Sequence, residues 1–185
     1  MSNLRELTKE AHTNAERQEF VKILFSGKIN PKLYATFLKN QHPCYEILEV
    51  CAMPHQLLNG LPDVCRASAI LSDFQELWTA EDGDPQILST TEQYIKYILS
   101  IKDDPKRLMA HIYVRHMGDL AGGQMIAKKV PGSGKYYQFA DPDGLKMAIR
   151  ERLDDSMAEE ATVCFGFATD MFKEMMNLVE FTDEQ

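Results

Sequence analysis

Apolar residues recur at spacings of three and four along almost the whole chain, and nowhere do they settle into the alternation of a strand. A chain so patterned folds as packed helices. Residues 3–18 place Leu4, Leu7, Ala11 and Ala15 on one stripe, and a second segment, 19–26, stops at Gly27. Pro31 suits the first turn of a helix reaching residue 53, with Tyr34, Phe37, Leu38, Tyr45 and Leu48 inward. Pro43 lies inside that pattern, so a kink or local irregularity is expected there. Pro62 can start a helix to residue 78, and "AEDGDP" reads as a loop. Thr90 or Thr91 can cap a fifth helix carrying Tyr94, Ile95, Ile98 and Leu99. Pro105 opens a sixth, which contains "RHMGDLAGGQ" and ends near "VPGSG". An extended piece, "KYYQF", then leads through "ADPDG" to helices at 143–155 and 157–180. With no repeat and no long Pro/Gly/Ser linker, the expectation is an all-α fold forming one domain over residues 1–185.

Composition narrows the function classes. A formal charge of −8 argues against nucleic acid as a partner, since phosphate binding needs a concentrated basic face. The four cysteines, Cys44, Cys51, Cys65 and Cys164, form no CxxC pair and read as free thiols of a reducing compartment. The start, "MSNLRELTKEAH", is charged and helical in pattern, with no apolar targeting region. The most apolar stretch, 163–181, is interrupted by Asp170, Lys173, Glu174, Asn177 and Glu180. A cytoplasmic protein without a membrane anchor is expected. "VPGSGKYY" lacks the earlier glycine and the hydroxyl of a phosphate loop, and neither a GxSxG elbow nor the ExxH pairs of a di-iron bundle occur.

Two stretches remain that carry chemistry. In "RHMGDLAGGQ", each interior glycine costs a helix roughly 0.5–1 kcal/mol relative to alanine. Gly118 and Gly122 are four apart and share a face, which opens the backbone to something flat or bulky; Arg115 and Asp119 flank that strip. A helix end or a close helix–helix contact would use the same glycines. In "EAHTNAE", His12 and Glu16 are likewise four apart, so the carboxylate can hold one imidazole nitrogen while the other binds a metal. His42, His55, His111 and His116 compete as ligands. His111, seven residues before Gly118, shares nearly its face, and spacing alone does not choose between it and His12.

Taken together and in this order, "LTKEAHTNAE" and "YVRHMGDLAGGQ" resemble the heme oxygenase family, whose second motif usually reads GDLSGGQ; here Ala121 replaces the serine. The resemblance runs from Leu4 to Phe181, through "YEILE" in the third helix and "MFKEM" in the last. It implies an all-α fold that sandwiches heme b between a proximal helix and a distal helix bent at the glycines. His12 then matches the proximal iron ligand and Glu16 its supporting carboxylate. Gly118 and Gly122 match the distal glycines over the porphyrin, and Asp119 the carboxylate that anchors distal water. Arg115 and Tyr45 match members of the same network. Tyr113, Lys146 and Arg150 match residues that grip the propionates, Arg5 stands where lysine is frequent, and Phe165 matches a pocket-lining aromatic. The segment after Gln124 and the loop between the fourth and fifth helices are shorter than in many relatives.

The activity so implied is O2-dependent cleavage of heme at a meso carbon, most often α, to biliverdin IXα, carbon monoxide and iron. No flavin or nicotinamide fingerprint is present, so electrons come from an external donor; ferredoxin is common in enzymes of this type. Lys128, Lys129, Lys135, Arg150 and Arg152 are candidates for its docking rim, and a bilin reductase for the next step. The resemblance implies a monomer of the cytoplasm, or of the stroma or a viral host's cytoplasm. The competing functions are a heme-binding or transfer protein without the chemistry, and a TenA-like helical enzyme. The latter needs a catalytic cysteine in a polar pocket, whereas Cys44, Cys51 and Cys164 lie on apolar patterns.

Overall fold

The computed structural model describes residues 2–183, and among them every regular element is a helix. In chain order these are α1 (Leu4–Leu7), α2 (Lys9–Glu16), α3 (Glu19–Phe25), α4 (Pro31–Ala52) and α5 (Ala67–Leu77). They continue as α6 (Ser89–Ser100), α7 (Pro105–Ala121), α8 (Gly123–Ile126), α9 (Pro142–Arg150) and α10 (Ala158–Asp183). Two long helices organise the rest. α4 packs on α5, α6 and α7, while α10 lies against α2, α3, α6 and α7. Between them Phe20, Tyr34, Phe37, Leu38, Tyr45, Leu48, Tyr94, Ile98 and Leu108 are sealed from solvent.

Punctuation by proline, asparagine and aspartate sets several boundaries where the sequence puts them. Asn30 caps α4 by accepting from the Lys32 and Leu33 amides at 2.8 and 3.3 Å, with Pro31 in the first turn. Asp104 caps α7 ahead of Pro105, accepting from the Arg107 amide at 3.2 Å. Gly27 ends the α3 segment with a φ of +74°, a conformation that favours glycine.

Elsewhere the boundaries depart from the sequence expectation, each for a local reason. The first helix is two: Thr8 turns out of helical geometry at φ −107° and ψ 7°, and its hydroxyl donates to the Leu4 carbonyl at 2.8 Å. α4 stays helical through Pro43. α5 begins at Ala67 rather than Pro62, because Asp63 takes a left-handed φ of +62°. Its first amides are met by Glu49 of α4, which accepts from Arg66 at 2.7 Å and Ala67 at 3.0 Å. Neither Thr90 nor Thr91 caps α6. Glu174 of α10 does so from across the fold, accepting from the Ser89 and Thr90 amides at 3.1 and 2.6 Å. The "KYYQF" piece is not extended throughout but opens with a 3-10 turn at Lys135–Tyr137. α9 stops at Arg150, and a further 3-10 turn, Asp155–Met157, leads into α10.

Candidate active site

The amphipathic α2 rests against α10 and presents His12 and Glu16 from one face, with Nε2 of His12 2.7 Å from Oε1 of Glu16. Phe165 of α10 stacks on the imidazole. The His12 side chain is 39% exposed, so the ring is held by two neighbours and still reachable. The other histidines are committed elsewhere. His42 pairs with Glu46 at 3.3 Å, His55 meets the Lys102 carbonyl at 2.7 Å, and His116 pairs with Glu49 at 2.9 Å. His111 is fully buried, with Nδ1 2.7 Å from the Tyr94 hydroxyl and Nε2 2.9 Å from Glu160. Both its nitrogens are engaged inside the protein, whereas the His12 side chain keeps a surface open to solvent.

α7 carries the second cluster. Its i, i+4 spacing places Arg115 and Asp119 together, and both are buried. The Tyr45 hydroxyl, from α4, donates to Asp119 Oδ2 at 2.6 Å and lies 3.4 Å from the Arg115 carbonyl. The Arg115 guanidinium lies over the rings of Tyr94 and Tyr45, 4.1 and 5.5 Å from their centroids. Burial pushes the Asp119 carboxyl up to about 7, against the opposing pull of Tyr45, His116, Tyr136 and Arg115. Burial likewise raises the phenols of Tyr45 and Tyr136 well above their ordinary range, so both stay neutral donors. Arg115 Nε and His116 Nδ1 are buried without a hydrogen-bond partner.

Next to this acid the helix surface is bare. Gly118, Ala121 and Gly122 are exposed, and a Cβ built on Gly118 meets nothing within 4 Å. Gly122 has helical φ and ψ of −66° and −30°, so the chain passes from α7 into the short α8. Helical geometry resumes only as far as Ile126. Gly123 serves a different purpose: its added Cβ would fall 2.5 Å from the ring of Tyr137. Protein packing alone therefore accounts for Gly123, and an open face for Gly118.

The cations lie apart from both clusters in their contacts. Arg5 is exposed on α1 and Arg150 is exposed at the end of α9; Lys146, one turn before Arg150, is partly buried 3.7 Å from Asp143. Tyr113 is buried in α7, which packs against α9. Among the docking candidates, Lys128, Lys129 and Lys135 are exposed. Arg152 is not available in the same way: its guanidinium donates to the Leu57 carbonyl at 2.5 Å and to the Asn59 carbonyl, stapling a loop.

The cysteines are all free thiols. Cys164 is buried, yet its neighbours are polar. Burial pushes its thiol up, but His111 and Arg115 outweigh that and leave it below the ordinary range. Sequence reading missed this and also missed Tyr136, Gln41 and Glu49. Tyr136 donates to Tyr45 at 2.9 Å, and Gln41 to Tyr136 at 3.3 Å. Gln41 is one helical turn before Tyr45, a spacing that could have drawn attention to it.

These residues fit a flat, iron-bearing ligand. Glu16 holds one nitrogen of an exposed imidazole, whose second nitrogen is the metal-binding kind. The side-chain-free strip at Gly118 allows approach to backbone, with a buried acid beside it. Among the described residues no group of three or more His, Cys, Asp or Glu is arranged to hold a metal ion. No helix among them is long and apolar enough to cross a membrane.

Comparison with known proteins places the fold and the family. The structure is similar to heme oxygenase-1 of the cyanobacterium Synechocystis, solved in complex with heme, with a TM-score of 0.79 at 23% identity, covering 97% of this chain and 95% of that one. It also matches heme oxygenase from Leptospira interrogans, with a TM-score of 0.78 at 28% identity, covering 92% of this chain and 97% of the other. In sequence it is 28% identical to Synechocystis heme oxygenase 1 over 178 residues, 87% of this chain and 74% of that protein. It is 29% identical to heme oxygenase 2 of Macaca fascicularis over 203 residues, covering 93% of this chain but 64% of that longer protein. The heme oxygenase family profile matches residues 1–185, and the chain belongs to that family.

Proposed function

We propose that the protein is a heme oxygenase that opens heme b at a meso carbon, the α position, to give biliverdin IXα, carbon monoxide and ferrous iron. The observation that carries this reading is the buried acid beside a bare helix face: Asp119, hydrogen-bonded by Tyr45 at 2.6 Å, next to the open Gly118. Bound heme supplies both the iron at which O2 is reduced and the porphyrin edge that is oxidised. The remaining contributions belong to this chain. Glu16 and Phe165 hold the ring of His12, the residue that would bind the heme iron. Gly118 and Gly122 would admit a flat ligand to the backbone of α7 and so limit its free space on that side. Asp119, titrating near neutrality, would hold a proton at its carboxyl beside that bare face, available to the bound ligand. Arg5, Lys146 and Arg150, with Tyr113, are the residues that would hold the propionates and so orient the substrate.

Electrons reach such a site from outside. An acidic ferredoxin docking on Lys128, Lys129, Lys135 and Arg150 is the donor we propose, with a monomer as the working unit and a bilin reductase as the consumer of the product. Its signature is a steep fall of turnover with added salt. The test of the function itself is direct. Heme-loaded protein given reductant and air should lose its Soret band and release a linear tetrapyrrole that co-elutes with biliverdin IXα. A stable heme complex with no bilin would leave only a binding protein.

A further inference from the structure

The acid at the centre of the proposed site is reached by a line of donors that starts outside α7. Gln41 Nε2 donates to the Tyr136 hydroxyl at 3.3 Å, Tyr136 donates to the Tyr45 hydroxyl at 2.9 Å, and Tyr45 donates to Asp119 Oδ2 at 2.6 Å. The direction of this line matters. Tyr45 has one proton and two acceptors within reach, Asp119 Oδ2 and the Arg115 carbonyl at 3.4 Å. A hydroxyl that accepts a hydrogen bond on its oxygen becomes a stronger donor and has fewer free orientations. Tyr136 therefore directs the Tyr45 proton onto the carboxyl.

Tyr136 itself is held from several sides. Its amide donates to Asp73 at 2.8 Å, and its carbonyl accepts from Arg66 Nη1 at 3.1 Å. Its ring stacks on Tyr137 at 4.1 Å between centroids and meets the edge of Tyr45 at 5.6 Å. Tyr137 in turn occupies the space kept free by Gly123. So the loop after α8 is anchored to α5 and to the glycine stretch at once, and delivers one hydroxyl to a fixed point.

We infer that Tyr136 is a positioning residue for Asp119, acting through Tyr45 to orient the carboxyl and to set the pH at which it gives up its proton. This rests on the reading of Asp119 as the proton-holding group of the site. The charged and titratable groups facing Asp119 are Tyr45 of α4, Tyr136 of the loop, and Arg115 and His116 of α7 itself. His116 is backed by Glu49 at 2.9 Å, and the phenols of Tyr34 and Tyr137 also feel the Asp119 charge. All the phenols remain neutral in the working range because burial raises them, so Tyr136 and Tyr45 act there as donors that favour the ionised carboxylate.

The test is a titration of the Asp119 side chain by carbon-13 NMR in the full-length, heme-free protein, with the resonance assigned by its loss in Asp119→Asn. Tyr136→Phe keeps the ring and removes only the hydroxyl. Its Asp119 midpoint should rise by about half a pH unit, because Tyr45 then donates less strongly and less directionally to the carboxylate. Gln41→Leu should move it in the same direction by less. The pH profile of turnover in the heme-loaded Tyr136→Phe protein should shift the same way. An unmoved midpoint in a normally folded Tyr136→Phe protein overturns the proposal. If that variant does not fold, an unmoved midpoint in Gln41→Leu overturns it instead. The two readings separate cleanly. A shifted midpoint in a protein that makes no bilin leaves the tyrosine line standing and removes the oxygenase function; bilin formation with an unmoved midpoint does the reverse.

Discussion

His12 and Phe165 stack nearly face to face, their ring centroids 5.0 Å apart and their planes 15° from parallel. The helix that carries the imidazole is thus oriented by a different helix, α10. On that same helix the preceding residue, Cys164, faces His111 and Arg115 instead. Adjacent positions of α10 therefore touch the proposed iron ligand and the buried polar cluster behind Asp119.

The two histidines weighed as ligands should behave as opposites. His12→Ala removes a solvent-accessible contact with Glu16 and one stacking contact, so the change in folding free energy is expected to stay within about 1 kcal/mol. Hemin titrated into it should fail to give a sharp ligated Soret band. His111→Ala strips Tyr94 and Glu160 of a buried partner and should cost about 2–4 kcal/mol in urea unfolding, with axial ligation retained.

Glycines five residues apart should also part company. Gly118→Ala places its Cβ in open space and should raise helix stability by about 0.5–1 kcal/mol while weakening hemin binding. Gly123→Ala drives a Cβ against the Tyr137 ring and should destabilise by about 1–3 kcal/mol, seen as a lower midpoint of thermal unfolding.

Asp119 makes stability depend on pH in the unusual direction. Its folded value, about 7, lies above the ordinary carboxyl value of about 3.9, so the folded state holds the proton more tightly. The stability it contributes is complete below about pH 3.9 and is lost as pH rises through about 7. Unfolding of heme-free Asp119→Asn, measured from pH 4 to 8, should lack this limb, so the variant gains on the parent as pH rises. Its bilin yield should fall sharply.

Glu160 works with the opposite sign. Burial pushes its carboxyl up, but His111, Tyr97 and Arg107 outweigh that and hold it down to about 2. Its contribution is present above the ordinary value of about 4.3 and is lost as pH falls through about 2. Acid unfolding of Glu160→Gln should start from lower stability at pH 7 and show a flatter decline below pH 5 than the parent.

The parts of this architecture that obey local rules were legible in the residues. Asn30 and Pro31 start α4, and i, i+4 spacing pairs His12 with Glu16 and Arg115 with Asp119. What escaped were contacts between residues far apart in sequence. Nothing near Ala67 announces that Glu49 meets its amide, and nothing near Thr90 points to Glu174. Tyr136 falls in a segment read as extended, yet a single 3-10 turn aims its hydroxyl at Tyr45. Arg152 reads as a surface cation, while its guanidinium closes a loop on main-chain carbonyls. Such roles depend on which elements meet, and local spacing does not encode that.

The carboxylates of Glu49 and Glu174, each satisfying the opening amides of a helix other than its own, tie α5 and α6 to the assembled fold. A helix capped by its own residues can fray and reform alone, but these two lose their first hydrogen bonds when α4 or α10 moves away. The amide protons of Ala67 and Thr90 should therefore exchange with solvent only as fast as the molecule opens as a whole.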